Sequence, residues 1–474
     1  MMSVSSSAPT SEPPVLFESN LAMRTYILNR PLKLNALDEA MLDLLRPKIE
    51  EWSASDLCGI IVGTGVGRAF CAGGDVASVV EYASKPETRP RAVYFFKREF
   101  EMDYILAMLR KPYVAILDGH TMGGGVGLSA HAPFRIATEN TLFSMPETKI
   151  GYCPDVGGSY FMSRLDGELG TYLALTGNTI NGRHVFELGC ATHYVPSRRI
   201  PILLDRLSAL ENAHPSVINN TVEEFTAERQ PEEPPLPLVG ETRDALDYAF
   251  RHDEVEKIIQ DLEAYAQHTS PAISRWARQT LEALHLRSPT SLKVALKAIR
   301  QGKKMTLLQA LDMELRIATA YCNGASPDFA TGVKAVLVDK VKGKRPEWSP
   351  PTLNEVSDEI VSRFFSPDSP YLSSVPNLEI PEHLKSQEGT HKPMKYALPT
   401  EDEIGAMVRG SHSAGGGTGL TLDELLANFD NIRNGKLGVR EKVLEVARRK
   451  CDVKDNGGDG NFIWLKWKHQ LNRP

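Results

Sequence analysis

The period of the hydrophobic positions changes several times along the chain. Residues 22–28 alternate apolar and polar side chains, which predicts a half-buried strand. Met41, Leu42, Leu45 and Ile49 then recur at helical spacing, and Asp38 stands where an N-cap side chain accepts the first free amides. Residues 59–62 and 113–117 are short, wholly apolar runs of the kind found in covered inner strands, and 134–137 reads as a third short strand. A helical pattern fills roughly 90–110. Strands alternating with helices predict an α/β domain. From about 160 to 325 the period is mostly helical, with apolar faces over 254–267, 273–286 and 307–321, interrupted by an extended proline-rich loop at 230–237. Prolines are frequent and periodicity is poor between about 341 and 400. A last helical region is expected over 422–449, after a flexible glycine loop at 415–419. No apolar run approaches the ~20 residues of a membrane span.

Composition narrows the classes further. The 474 residues include 54 basic and 60 acidic side chains, a net charge of -6. A protein that lives by broad contacts to a phosphate backbone is usually basic, so free nucleic acid is a poor default partner. The six cysteines are scattered without a CxxC pair, which reads as free thiols in a reducing compartment, with no metal expected. The Ser/Pro-rich start carries Glu12 and Glu18 ahead of the first basic residue, Arg24, unlike an Arg-rich, acid-poor transit peptide. The expectation is a chain that stays where it is made or has lost a presequence. The last residues, Leu471 to Pro474, are no peroxisomal address.

Three stretches carry the candidate chemistry: FCAGGD at 70–75, TMGGGVG at 121–127 and MPETKIGYCPDVGG at 145–158. Glycine lets a backbone approach a ligand without a Cβ, and a glycine turn opening a helix aims free N–H groups at an anion. Gly73-Gly74 and Gly123–Gly125 each follow an apolar strand and are expected to open helices. Two such N–H groups would stabilise the oxygen of an attacked or enolised thioester. Taken singly, each glycine loop also fits an ordinary tight turn. A P-loop is excluded, because no Gly-Lys-Ser/Thr follows, and GxGxxG does not fit. Taken singly, Glu147 fits a solvated loop or helix cap, Asp155 an N-cap, and Glu99 a solvated helical face.

In order and spacing the three stretches resemble the crotonase, or enoyl-CoA hydratase/isomerase, superfamily, and within it most closely the 3-hydroxyisobutyryl-CoA hydrolases. The resemblance rests on FCAGGD at 70–75, KPYVAILDGHTMGGGVGLS at 111–129, FSMPETKIGYCPDVGGSYF at 143–161 and LALTG at 173–177. HKPMKYALPTEDEI at 391–404 resembles the extension of a longer, fungal-type branch, members of which also occur as subunits of the mitochondrial small ribosomal subunit. The resemblance implies an α/β fold: a ββα spiral core, a mainly helical region that completes it and mediates trimerisation, and a further C-terminal extension. The corresponding bounds are a flexible N-terminus at 1–20, a core at 21–230, a helical region at 231–345 and an extension at 346–474 that is a possible docking module.

The resemblance also implies roles for residues. Gly74 and Gly124 supply the oxyanion hole, and the adjoining Gly73 and Gly123 bind substrate. Glu147 is the catalytic glutamate, Asp155 the aspartate specific to the hydrolases, and Glu99 a further substrate-contacting acid. Hydratases carry a second glutamate on the helix after the glycine triplet; here that position is Gly127, which cannot move a proton, and this favours thioester hydrolysis over hydration. Glu147 would act as nucleophile or as the base that activates water. The expected substrate is a short 3-hydroxyacyl-CoA. CoA is part of that substrate, and no separate cofactor is implied. Arg68, Lys97 and Arg98 are candidates to meet its phosphates. His120 and His131 read as packing or polar-network residues, and Cys71 and Cys153 as small buried ones. The implied compartment is the mitochondrial matrix. The aromatic and basic end of the chain, with Arg433, Lys436, Arg440, Lys442, Arg448, Arg449, Lys450 and Lys454, fits either packing on the catalytic domain or docking to ribosomal proteins and rRNA. The second class of function is therefore a structural ribosomal subunit; the third, weaker one is an enoyl-CoA isomerase. A homo-oligomer is also expected, and no membrane partner.

Overall fold

The computed structural model describes residues 12–341, 343–415, 419–455 and 463–468. A hairpin of β1 (Val15–Asn20) and β2 (Met23–Leu28) comes first, then α1 (Glu39–Ala54). The Asp38 carboxylate accepts the Met41 N–H at 2.9 Å, and α1 buries Met41, Leu42, Leu45, Ile49 and Trp52 along one face. A strand–strand–helix unit then repeats. The first is β3 (Ile60–Gly65) and β4 (Ala69–Cys71), followed by α2 (Val76–Ala83) and α3 (Arg89–Ala107). The second is β5 (Tyr113–Leu117), β6 (His120–Met122) and α4 (Gly124–Ala130). The third is β7 (Phe134–Ala137) and β8 (Leu142–Ser144), a 3-10 turn at Glu147–Ile150, and α5 (Gly158–Met162).

Each unit gives one strand to each of two sheets. With β9 (Ile180–Asn181) and β10 (His193–Tyr194), the orders are β1-β2-β3-β5-β7-β10 and β4-β6-β8-β9. The larger sheet is parallel except for the β1–β2 hairpin. Its inner strand β5 and the first half of β3 are apolar and buried because both faces are covered, while the edge strand β1 exposes Glu18, Ser19 and Asn20. Tyr113, Ala115 and Leu117 enter the main core, while Val114 and Ile116 enter a smaller core with Phe134, Leu203 and Val222. The expected helical region is present as Val255–Tyr265, Pro271–His285 and Leu307–Cys322, the last opened by a Thr306–Gln309 capping box.

Several expectations need correction. Part of the stretch expected to be loose, 1–20, is strand: Val15 to Asn20 pair with Leu28 to Met23, and residues 1–11 lie outside the described residues. The helical region expected over 422–449 is present, as two helices, Leu422–Ile432 and Val439–Lys450, separated where Asn434, Gly435 and Gly438 take left-handed backbone. Most of the glycine loop at 415–419 lies outside the described residues, as does Phe462. Beyond it, Ile463–Trp467 pairs antiparallel with Cys451–Asp455.

The region after 346 packs on the two-sheet half of the chain. Phe364, Leu398, Ile404, Phe429, Val443 and Leu465 join the main core. Tyr396 stacks on Phe134 with centroids 4.8 Å apart, and the fully buried Arg135 donates to the Pro393 carbonyl at 2.8 Å. Most of the basic side chains proposed for docking are engaged in ion pairs within the chain. Lys442 pairs with Asp166 at 2.6 Å, Arg433 with Glu403 at 2.9 Å, Lys436 with Glu223 and Arg440 with Asp430. Arg449 is buried among Glu401, Glu445 at 3.0 Å and Asp247 at 3.5 Å, and Lys450 reaches Asp247 at 3.4 Å.

Removing one member of a buried pair strands the other charge, which costs about 3–5 kcal/mol. Arg449→Ala is therefore expected to lower the free energy of unfolding by about that amount in urea titration; an unchanged midpoint would show that these pairs do not hold the extension. Burial alone would raise the Glu401 carboxyl, but Arg243 and Arg449 hold it well below its ordinary 4.5. Its contribution is thus present above that pH and is lost as pH falls towards the folded value.

Candidate active site

Residues 72–75 leave β4 as a turn. Leu37 donates its N–H to the Gly73 carbonyl at 2.8 Å, and Asp75 donates to the Leu37 carbonyl at 2.7 Å. The Gly74 N–H between these two anchors has no acceptor among the described residues. α2 begins only at Val76, so this donor belongs to the turn and not to the helix end that the glycine pattern predicts. After β6 the expectation holds. Gly123 caps α4 with φ 46° and ψ −118°, a conformation that favours glycine, and Gly124 is the first helical residue. Its N–H is one of the unpaired amides of the first turn and also has no acceptor among the described residues. The two turns are pressed together: a Cβ on Gly73 would stand 3.8 Å from the Gly124 nitrogen. Two free amides therefore lie beside one another, an arrangement able to receive one carbonyl oxygen.

The acids surround these turns. Glu147 starts the 3-10 turn after β8, and its Oε1 lies 2.9 Å from where a Cβ on Gly123 would be. Its Oε2 is buried with no hydrogen-bond partner among the described residues. Glu99 projects from α3, its Oε1 filling the space a side chain on Gly124 would need; that oxygen too is unpartnered. Asp155 follows from the next turn and accepts the Tyr152 hydroxyl at 3.0 Å. It does not cap α5: its carbonyl accepts the Gly158 N–H at 2.6 Å, and Val156 turns the chain with φ 55°. None of the three acids is solvated; Glu99 is 2% exposed, and Glu147 and Asp155 are each 6% exposed.

Two buried acids escape sequence reasoning. Glu314, on the helix Leu307–Cys322, accepts Gly157 N–H at 2.6 Å, Ser159 N–H at 2.9 Å and Ser159 Oγ at 2.5 Å, and so fixes the turn after Asp155. Asp103 lies one helical turn beyond Glu99 and is completely buried. Each sits among other acids of its helix, Asp103 after Glu99 and Glu101 and Glu314 after Asp312, so no signal in the sequence sets it apart.

Burial is the first cause of every perturbed acid here. It pushes Glu147 up to about 8, helped by Glu99 and opposed by Lys149. Burial and the Asp155 charge raise Glu99 well above its ordinary value, and burial with Glu147 and Glu314 does the same to Asp155. Glu314 rises to about 7, its hydrogen bonds pulling the other way. Such a group cannot be fully ionised at once, and the site holds protons at neutral pH.

The remaining candidates divide. His131, at the end of α4, donates from Nε2 to the Val156 carbonyl at 3.2 Å, and burial keeps it neutral by pushing it down to about 3. It ties the glycine helix to the Asp155 turn. The Cys71 thiol is pushed up to about 12 by burial, and Cys153 is raised well above its ordinary value, so neither is an activated nucleophile. Lys97 and Arg98 do not stand free for phosphates. Lys97 is buried between Glu101 at 3.0 Å and Glu379 at 2.9 Å, and Arg98 pairs with Asp43. Arg68 is exposed on the β3–β4 turn.

Residues 23–365 match the enoyl-CoA hydratase/isomerase family. A small ribosomal subunit protein, mS47, of Neurospora crassa is 38% identical over 467 residues, 96% of this chain and 88% of that one. The mitochondrial 3-hydroxyisobutyryl-CoA hydrolase of Gallus gallus is 40% identical over 354 residues, 74% of this chain and 89% of that one. Among solved structures, a carnitinyl-CoA dehydratase from Mycobacterium thermoresistibile superposes with a TM-score of 0.66 at 33% identity, covering 77% of this chain and 99% of its own. With its two sheets built from repeated strand–strand–helix units, its paired glycine turns and a family match through most of its length, the chain belongs to the enoyl-CoA hydratase/isomerase family.

Proposed function

We propose that the protein hydrolyses a short 3-hydroxyacyl-CoA thioester, with 3-hydroxyisobutyryl-CoA the first candidate. The observation that carries this reading is the meeting of Glu147 and Glu99 at two unpaired amides, with Asp155 near enough for its charge to act on Glu99, while position 127 on the glycine helix offers no carboxyl. The 40% identity to a 3-hydroxyisobutyryl-CoA hydrolase supports the substrate class. The mitochondrial relatives support placement in that organelle.

The Gly74 and Gly124 N–H groups receive the thioester oxygen and stabilise the charge it gains. Glu147 acts from beside Gly123, either by attacking the carbonyl carbon to give an acyl–glutamate anhydride that water then cleaves to the free acid, or by taking a proton from the water that attacks. The C–S bond breaks and the CoA thiolate leaves with a proton. Asp155, oriented by the Tyr152 hydroxyl, holds the substrate hydroxyl or the water and assists that proton transfer. Glu99, against Gly124, contacts the acyl group. The low polarity of the site strengthens each of these interactions.

A second reading is assembly into a mitochondrial small ribosomal subunit. It is favoured by one observation, the match through 96% of the chain to the Neurospora crassa ribosomal protein. The ion pairing of Arg433, Lys436, Arg440, Lys442 and Arg449 leaves few of the extension's cations for rRNA, so protein contacts are the better candidates. Cosedimentation with mitochondrial ribosomes in a sucrose gradient tests it, and a protein found only in the soluble fraction would overturn it.

Glu147→Gln is expected to lower kcat at least about 100-fold with folding intact, measured as thiol release; near-normal turnover would defeat the hydrolytic assignment. Gly124→Ala places a methyl against Glu99 and displaces the amide, with an expected loss of about 10²–10³ in kcat. The pH dependence follows from Glu147. The carboxylate is the active form and its free-protein value lies at about 8. The kcat/KM is therefore expected to rise with pH below that value and level off above it. Stability has the opposite slope: a raised acid binds its proton more tightly when folded, so unfolding becomes easier as pH rises from 4.5 through 8. A pH-independent kcat/KM between 6 and 8 would contradict this account.

A further inference from the structure

Asp103 has no solvent exposure, and neither of its carboxyl oxygens has a hydrogen-bond partner among the described residues. Four residues after Glu99 on α3, it shares that residue's helix face. The two acids lie against two glycines of α4. Glu99 fills the space over Gly124, and Asp103 Oδ2 stands 2.6 Å from where a Cβ on Gly127 would be. The Cβ of Val156 is also 2.6 Å from that point. Asp103 and the turn after Asp155 thus share the volume that a side chain at 127 would occupy.

The titratable groups facing Asp103 come from six elements. They are Tyr26 on β2, Cys71 on β4, Glu99 on α3, Tyr113 on β5, Asp155 on its turn and Glu314 on the helix Leu307–Cys322. None is a cation. A carboxylate there would be a buried charge with no compensating partner, at a cost of several kcal/mol. A carboxylic acid instead has one O–H to donate, and Glu99 or Asp155, whose charges act on Asp103, could accept it when ionised. Burial and the charges of Glu99, Asp155 and Glu314 act in the same direction.

We propose that Asp103 is a positioning residue of the hydrolytic site, a neutral carboxylic acid whose O–H supports the ionised member of the Glu99–Asp155 pair and orients it for the substrate. This rests on the hydrolase reading above. It gives the glycine at 127 a purpose: the absent side chain admits an acid from the neighbouring helix.

Two variants and one spectrum test it. Asp103→Leu keeps the volume and removes the donor; Asp103→Asn keeps the shape and an N–H donor. The Leu variant is expected to lower kcat about 30-fold or more while KM changes less than about threefold. The Asn variant is expected to recover at least about tenfold of that loss. Infrared spectra of protein carrying ¹³C-labelled aspartate should show a protonated-carboxyl band at neutral pH that Asp103→Asn removes. Equal damage from Asn and Leu in folded protein, wild-type turnover by the Leu variant, or no such band would each overturn the proposal. If the Leu variant does not fold, the Asn variant and the spectrum decide. Should the wild type cleave no thioester, the hydrolase reading fails and the positioning role falls with it; the band still decides whether Asp103 is neutral.

Discussion

The site depends on burying several carboxyl groups beside one another with little cationic help. Glu99, Asp103, Glu147, Asp155 and Glu314 are all enclosed, and among the perturbing groups only Lys149 offers a positive charge, to Glu147. Such a cluster is tolerable only if it is partly protonated and if the backbone around it is held from elsewhere. Glycines meet the second condition. α3 brings its acids against α4 at Gly124 and Gly127, where a Cβ on either residue would collide with a carboxyl. The same absence of side chains lets the turn at Gly73 press on the turn at Gly123 and leaves the amides of Gly74 and Gly124 unpaired.

The elements behind the site keep that arrangement in place. Tyr26 and Tyr113 share a hydroxyl contact of 2.5 Å, and Tyr113 donates to the Leu128 carbonyl at 2.8 Å, anchoring α4 to the larger sheet. Glu314 holds the amides of Gly157 and Ser159, and His131 holds the Val156 carbonyl. The C-terminal extension reaches this layer directly. His391 packs 6.2 Å from His131 between ring centroids, and Arg135 links the end of α4 to the Pro393 carbonyl. The extension therefore braces the second layer of the site, whatever else it docks to.

What the sequence made legible was local. The glycine triplet, the FCAGGD turn and the Glu147 and Asp155 loops are short runs whose residue types carry their own geometry, and the apolar strands announce a covered sheet. What it hid was decided by distant partners. Lys97 and Arg98 read as free cations until Glu101, Glu379 and Asp43 are brought to them. The basic residues of Val439–Lys450 leave packing and docking both open until folding sets Lys442 on Asp166 and Arg449 beside Asp247. Asp103 goes unremarked in the sequence, because nothing nearby reveals that Gly127 will make room for it. The hairpin at Val15–Asn20 was hidden for the same reason, since its pairing with β2 outweighs a loose Ser/Pro-rich start.

The central claim is that these acids and amides cleave a thioester and do not hydrate a double bond. Product analysis tests it most directly: the purified protein is given 3-hydroxyisobutyryl-CoA and, separately, crotonyl-CoA, and free thiol and 3-hydroxybutyryl-CoA are quantified. The account predicts stoichiometric thiol and free hydroxy acid from the first, and no water addition to the second. Hydration of crotonyl-CoA without thiol release, or no turnover of either ester by folded protein, would contradict it.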